Sequence, residues 1–214
     1  MKHSGKGALA FSVAAGLVLL AGLLGCGRGG KVEGGPYVAL GEVAAKATSG
    51  LLEGHGRIVL VVNETDHHTA TALGQAVKVF NATLKKAGGV EVAATETLRA
   101  SAGPAISGVE PLPPAKFLEL VAKHASADAL VSFVGVPRLT PEQIGQLPQP
   151  HPKIVAAVTF NPPARSLFEQ GVLHLAIVPQ AAGTPSDRTP ASTQEWFDAN
   201  YRLITPETSS TLPF

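Results

Sequence analysis

Arg57-Ile58-Val59-Leu60-Val61-Val62-Asn63-Glu64-Thr65-Asp66-His67-His68 is the stretch that decides the fold of this 214-residue chain. Ile58 to Val62 are five consecutive aliphatic residues with no polar alternation. That is the pattern of a strand covered on both faces, as in the interior of a parallel sheet. The run then breaks into the densest polar cluster of the chain. Helical spacing follows: Leu73, Val77, Phe80 and Leu84 share one face of a helix expected over 68–87, with Lys78, Asn81 and Lys85 opposite. Gly88-Gly89 ends it.

The same alternation continues along the chain. Val90 to Ala94 reads as a second strand. Pro113-Pro114 opens a helix carrying Phe117, Val121 and His124, the last read as a packed histidine. Ala129 to Val134 is a third strand. Thr140-Pro141-Glu142-Gln143 is a capping box with proline at the first helical position. Ile154 to Thr159 is a fourth strand, Pro162-Pro163 opens a short helix that stops at Gly171, and Leu173 to Val178 is a fifth strand. Ser192-Thr193-Gln194-Glu195 is a second capping box. It starts a last helix whose packing face is Trp196, Phe197 and Tyr201, and Leu203-Ile204 adds a short final strand. Before all of these, residues 38–52 read as a first helix, weakened by Gly41 and Gly50.

Strands that alternate with helices imply right-handed crossovers. The expected fold is therefore an α/β, three-layer, Rossmann-like domain. Its sheet is mostly parallel, with five or six strands in the order 2-1-3-4-5. Two segments rich in Gly, Pro, Ser and Thr, 96–112 and 179–191, interrupt the rhythm and read as loops, the first as a mobile lid over the site.

The amino-terminal region has a different character. Lys2, His3 and Lys6 precede an uncharged run from Ala8 to Gly25, which closes on Leu23-Leu24-Gly25-Cys26. A basic start and an apolar core are the pattern of a secretory signal. An ordinary cleaved signal and an uncleaved membrane anchor fit the run as well. The closing residues resemble the bacterial lipobox, with Leu24 bulkier than usual at its position. That resemblance implies cleavage after Gly25 and a diacylglyceryl thioether on Cys26, so that the bilayer itself is a partner. The expected organisation is a signal peptide over 1–25 and a segment over 26–54 holding the lipidated cysteine, a Gly-rich tether and the first helix. The α/β domain follows over 55–205, with a tail over 206–214. The domain would face the periplasm or the cell exterior.

Cys26 is the sole cysteine. Internal disulfides, thiolate zinc sites and iron–sulfur clusters are therefore excluded, and no cofactor motif appears. Removing Lys2 and Lys6 leaves 15 basic against 16 acidic side chains. Such a balance, without a basic patch, argues against nucleic acid. No Gly-x-Ser-x-Gly elbow, phosphate-binding loop or dinucleotide fingerprint is present.

Strand, amphipathic helix, strand, and then a helix leading into Ala127-Asp128-Ala129-Leu130-Val131-Ser132-Phe133-Val134-Gly135 resemble one lobe of the type I periplasmic substrate-binding proteins. The closing segment from Glu195 to Glu207 is similar to the aromatic helix and strand near the ends of such chains. The resemblance covers roughly residues 56–207. It implies solute binding without catalysis, in a chain with length for one lobe where those receptors have two.

In open α/β sheets, ligands bind beyond the carboxyl ends of the strands, where strand order reverses. Here that point lies between the first and third strands. Candidate ligand residues are Asn63, Glu64, Asp66, His67 and His68 after the first strand, Arg138 after the third and Asn161 after the fourth. Three readings of the cluster stay open. Thr65 or Asp66 is a helix cap among solvated neighbours; or the helix start near His67 and the Arg138 fork hold an anion; or Glu64, Asp66 and the two histidines hold a metal, although no common zinc spacing appears. The functional expectation is a binding lipoprotein for a small polar solute or a protein partner. The alternatives are a structural envelope lipoprotein without a ligand, and an enzyme of unrecognised type.

The lipobox reading makes a direct prediction. Cys26→Ala should abolish acylation, and the mutant should either leave the membrane fraction or remain unprocessed. Labelling with a clickable palmitate analogue and membrane fractionation check this; wild-type behaviour of the mutant would reject the lipobox.

Overall fold

A strand with five aliphatic residues in a row has no side suited to water, so it belongs in the centre of a covered sheet. The computed structural model describes residues 34–67, 71–99, 112–158, 163–180 and 189–212. In it Ile58–Val62 form the middle of β1 (Gly56–Asn63), and all five are at most 1 % exposed. β1 pairs in parallel with β2 (Val90–Leu98) on one side and β3 (Ala129–Ser132) on the other. β4 (Lys153–Ala156) and β5 (Leu173–Pro179) continue the parallel sheet, and β6 (Tyr201–Ile204) closes its edge antiparallel to β5. The order is 2-1-3-4-5-6, as the alternation of elements predicts.

Each face of the sheet has its own core. Ile58, Leu60 and Val62 face a layer made by α1 (Pro36–Leu51), α3 (Ala72–Ala87) and α7 (Thr193–Asn200), represented by Leu40, Phe80 and Phe197. Val61 faces the opposite layer, where α4 (Pro114–Lys123) and α6 (Pro163–Glu169) supply Phe117, Leu120 and Leu167. A 3-10 helix (Pro206–Thr211) leads to Leu212, which is buried in the second layer. The residues expected as a tail therefore complete that core.

α1 corrects the expected organisation more strongly. Its Ala39, Leu40, Ala44 and Ala45 are at most 1 % exposed, in the same core as α3. Gly41, which weakens the helix in isolation, lies against α3: a Cβ there would stand 2.2 Å from the Ala76 carbonyl oxygen. The glycine costs helix propensity and permits the close approach of two helices. α1 is thus a wall of the domain rather than an extension of the tether.

Three further expectations are corrected. The helix expected over 68–87 begins at Ala72, after a separate turn, α2 (Glu64–His67). Thr71 is its N-cap, with extended backbone and with its hydroxyl accepting from the Gly74 N–H at 2.9 Å, so neither Thr65 nor Asp66 fills that role. β3 stops at Ser132 rather than Val134. The buried Ser132 hydroxyl donates to the Gly135 carbonyl and accepts from the Val134 N–H, bending the chain out of the ladder. Gly135, at φ +79, completes that turn. β2 runs on through Glu96 and Thr97 to Leu98, pairing Leu98 with Asn63, so the start of the expected lid is sheet. Leu112, at its far end, is 2 % exposed. Residues 100–111, the rest of that segment, lie outside the described residues.

Glu96 is held in place by Lys123 and His124. Its Oε1 accepts from Lys123 Nζ and pairs with His124 Nε2, both at 2.7 Å. His124, expected as a packed histidine, is an ion-pair partner at the end of α4. The hydrogen bond from Lys123, followed by that from His124, holds the Glu96 carboxyl below its ordinary value near 4.5. A depressed carboxyl contributes stability at pH above the unfolded value and loses it as pH falls through the folded one. Glu96→Gln should therefore reduce the stability lost between neutral pH and pH about 3, as read by urea melts across that range. An unchanged pH profile would remove the ion pair from the account.

Val61 and Val131 are both 0 % exposed, on adjacent strands but in opposite layers. Each Val→Ala change leaves a cavity and should cost about 2 kcal/mol. Because the two share no cavity, the double mutant should lose the sum within about 0.5 kcal/mol. Equilibrium denaturation of the three variants checks both points. Single-mutant losses within noise would contradict the two-sided core.

Candidate functional site

The carboxyl end of β1 is built around one carboxylate. Asp66 is 7 % exposed; its Oδ2 accepts from Asn63 Nδ2 at 3.2 Å and its Oδ1 from Thr71 Oγ1 at 2.7 Å. It joins the last residue of β1 to the cap of α3 through side chains, where no ladder is available.

Beside this joint lies a cleft of about 520 Å³. Asn63, Thr65, Asp66 and Thr71 form its β1 wall, and Ala72 and Leu73 bring in the start of α3. Phe133 and Val134 enter from the turn after β3, Val158 from the end of β4, and Pro179 and Gln180 from the end of β5. Tyr37 and Leu40 of α1 and Asn200 and Tyr201 at the α7–β6 junction complete it. The cleft therefore follows the carboxyl ends of four parallel strands and includes the reversal point between β1 and β3, the position that an open α/β sheet offers to ligands.

The walls are pinned by hydrogen bonds. Gln180 Nε2 donates to the carbonyl oxygens of Asp198 (2.7 Å) and Tyr201 (2.8 Å), while its backbone N–H donates to the Asn200 carbonyl at 2.8 Å. Asn200 Nδ2 donates to the Trp196 carbonyl at 2.8 Å. The Phe133 ring is anchored edge-to-face on Phe80 at 5.4 Å, and Tyr201 is tilted against Phe197 at 5.6 Å. Burial pushes the Tyr201 phenol up to about 12, and the neighbouring Tyr37 phenol acts in the same direction. Tyr201 thus remains a neutral hydroxyl at physiological pH.

Of the residues singled out in the sequence, Asn63 and Asp66 line the cleft. Glu64 is exposed, with Oε2 3.7 Å from Arg99 Nε; at such exposure the pair contributes little. His67 is the last residue of α2. Arg138 is exposed and is not part of the lining. His68 and Asn161 lie outside the described residues. Among the described residues, no three His, Cys, Asp or Glu side chains converge as a metal site. Gln180 and Asn200, which sequence reasoning missed, follow β5 and precede β6. Gln180 had a usable signal in its place directly after a strand's carboxyl end. Tyr37 had none, since only the fold brings α1 there.

A second, shallower hollow of about 340 Å³ lies between α1, β5 and β6, lined by His174, Leu203 and Glu207 among others. His174 marks an irregularity in the β4–β5 ladder, where its Nδ1 accepts the Ile154 N–H at 3.2 Å. Burial, and then His151 nearby, hold the His174 imidazole below its ordinary value. A neutral imidazole replacing a carbonyl in the ladder is a structural role.

No protein-family model and no curated protein matches the chain. Solved structures with the same fold do. An arabinose-binding protein from Geobacillus stearothermophilus superposes with a TM-score of 0.55 at 12% identity, over 85% of this chain and 64% of that one. A solute-binding protein of an ABC transporter from Bacillus halodurans, with bound myo-inositol, gives 0.55 at 16% identity, over 83% and 61%. The binding component of an arabinose ABC transporter from Shewanella sp. ANA-3, bound to α- and β-L-arabinofuranose, gives 0.52 at 14% identity, over 83% and 59%. The chain spans less than two thirds of the length of these proteins. Its fold is similar to that of the sugar-binding solute receptors of ABC transporters.

Proposed function

We propose that this chain is a lipid-anchored receptor lobe, held at a membrane surface through Cys26, that binds a small polar solute without transforming it. The observation that carries the reading is the cleft itself. It stands at the carboxyl edge of the sheet, its volume of about 520 Å³ suits a small molecule, and it combines an apolar and aromatic floor with a few fixed polar groups. The structural neighbours bind arabinose or hold myo-inositol in the equivalent fold, which supports a polyhydroxylated solute. No helix among the described residues is long and apolar enough to cross a membrane.

The charge of the lining selects among solutes. Asp66 is its only ionisable carboxylate, and no Lys, Arg or His is present among the described lining residues. An anion would meet that carboxylate in a partly desolvated site without a compensating cation. Arg138 is not placed to supply one. On the described lining residues, a neutral or cationic solute is favoured over an anion held between the helix start near His67 and Arg138.

A thermal-shift screen of pentoses, hexoses, cyclitols and their charged derivatives tests the reading. A ligand at 100 times its Kd adds about 2.7 kcal/mol, which should raise Tm by roughly 5–10 °C in a domain of this size. Asn200→Leu should reduce the shift without lowering the ligand-free Tm by more than a few degrees. If no compound moves Tm, the solute-binding reading is lost and a docking role without a ligand takes its place.

A further inference from the structure

Three amide side chains line the cleft, and in each the amino group is wholly or half committed. Asn63 Nδ2 donates to the Asp66 carboxylate, Gln180 Nε2 to two backbone carbonyls, and Asn200 Nδ2 to a third. Every one of those partners is an obligate acceptor, so chemistry alone fixes which way each amide is turned. Each keeps its carbonyl oxygen, an acceptor without a partner among the described residues, while Asn63 and Asn200 keep one N–H each and Gln180 keeps none. Asp66 adds two carboxylate oxygens, each accepting one hydrogen bond and each with capacity for another. The hydroxyls of Thr65, Tyr37 and Tyr201 donate or accept equally and tip the balance neither way.

The described lining residues therefore offer more acceptors than donors and carry one net negative charge, with aromatic rings at Tyr37, Phe133 and Tyr201. One feature pulls the other way: Ala72 and Leu73, at the amino end of α3, are part of the lining. A helix start is worth roughly half a positive charge. Asp66, bonded to the Thr71 cap of that helix, sets a full negative charge against it. The sum favours a donor, and a cation over a neutral group. A neutral sugar brings hydroxyls that need acceptors and donors alike. A protonated amine brings donors only, and it is also attracted by aromatic faces.

We infer that the solute of this cleft is a polyhydroxylated amine, an amino sugar or aminocyclitol, whose ammonium group sits against Asp66 and the amide carbonyls of the lining. The inference rests on the solute-binding reading above and names the chemical class within it.

Calorimetry on the full chain with matched ligands tests it. D-glucosamine is compared with D-glucose, and an inosamine with myo-inositol, with D-glucuronate as the anionic control. The measurements are made at mildly acidic pH, where the amines are protonated and a carboxylate is ionised. The expected result is that in at least one pair the amine binds tenfold or more tightly than its hydroxyl counterpart, with the advantage shrinking at high salt. Asp66→Asn should erase the difference within the pair. Because Asp66 also joins β1 to α3, a second variant avoids that joint: Thr65→Lys, at an exposed position of the lining, should lower the affinity ratio of amine to neutral ligand at least fivefold. Equal affinity within both pairs, or preference for glucuronate, overturns the amine while solute binding stands. Binding of none of these probes overturns both.

Discussion

Everything in this molecule depends on the double burial of β1. A strand with Ile58 to Val62 on its two faces is unstable in water unless both faces are covered, and covering both requires helices on either side of the sheet. That requirement explains why α1 and α3 are layered on one face and α4 and α6 on the other. It also explains why the weakly helical α1 is retained. Its contribution is apolar cover, supplied by Leu40 and three alanines packed tightly enough against α3 that only glycine fits at position 41. Edge strands meet the opposite demand. β2 alternates half-buried and exposed residues and carries the exposed Glu91, a charge that discourages pairing with a further strand.

A parallel sheet of this kind ends its strands together, and their carboxyl ends open one cleft. Because the strands stop there, side chains replace the ladder as the source of order. Asp66 connects β1 to α3, Ser132 turns the chain out of β3, and Gln180 ties the end of β5 to the α7–β6 junction. Each of these bonds has two consequences. It fixes a wall, and it uses up a donor or an acceptor that solvent or solute would otherwise meet. The polarity left in the cleft is what remains once the fold's own needs are met: Asn63, Gln180 and Asn200 each keep a carbonyl oxygen, and Asn63 and Asn200 one N–H besides.

The part of this architecture legible in the sequence is the part set by period. Ile58–Val62, Leu173–Val178 and the 3.6-residue spacing from Leu73 to Leu84 give strand, strand and helix from local pattern alone, and the order of the sheet follows from handedness. The boundaries that misled are those where a side chain intervenes. Nothing in the pattern tells a reader that Ser132 is buried and spends its hydroxyl on the backbone. Nor does it reveal that Asp66 reaches forward to Thr71 and delays the helix. Ser192 shows the same limit. Its hydroxyl caps the Glu195 N–H as its motif predicts, but the Glu195 carboxylate turns to the Ala191 N–H, so the box is half closed. For the site, the reversal point of the sheet was legible, and with it Asn63 and Asp66. Tyr37, Asn200 and Tyr201 come from elements remote in sequence and meet there only through the α1–α3–α7 layer. His151 and His174 are brought edge-to-face at 5.8 Å in the same long-range way.

The place of α1 bears on how the cleft is enclosed. A receptor with two lobes closes one over the other, whereas this cleft takes its outer walls from α1 and from the α7–β6 junction. Tyr37 lies near enough to Tyr201 to act on its phenol across the opening. Tyr37 is the second residue of α1, preceded by Gly34, Gly35 and Pro36. The wall at Tyr37 is therefore built by the first turn of a helix, whose N–H groups have no partner within the helix itself.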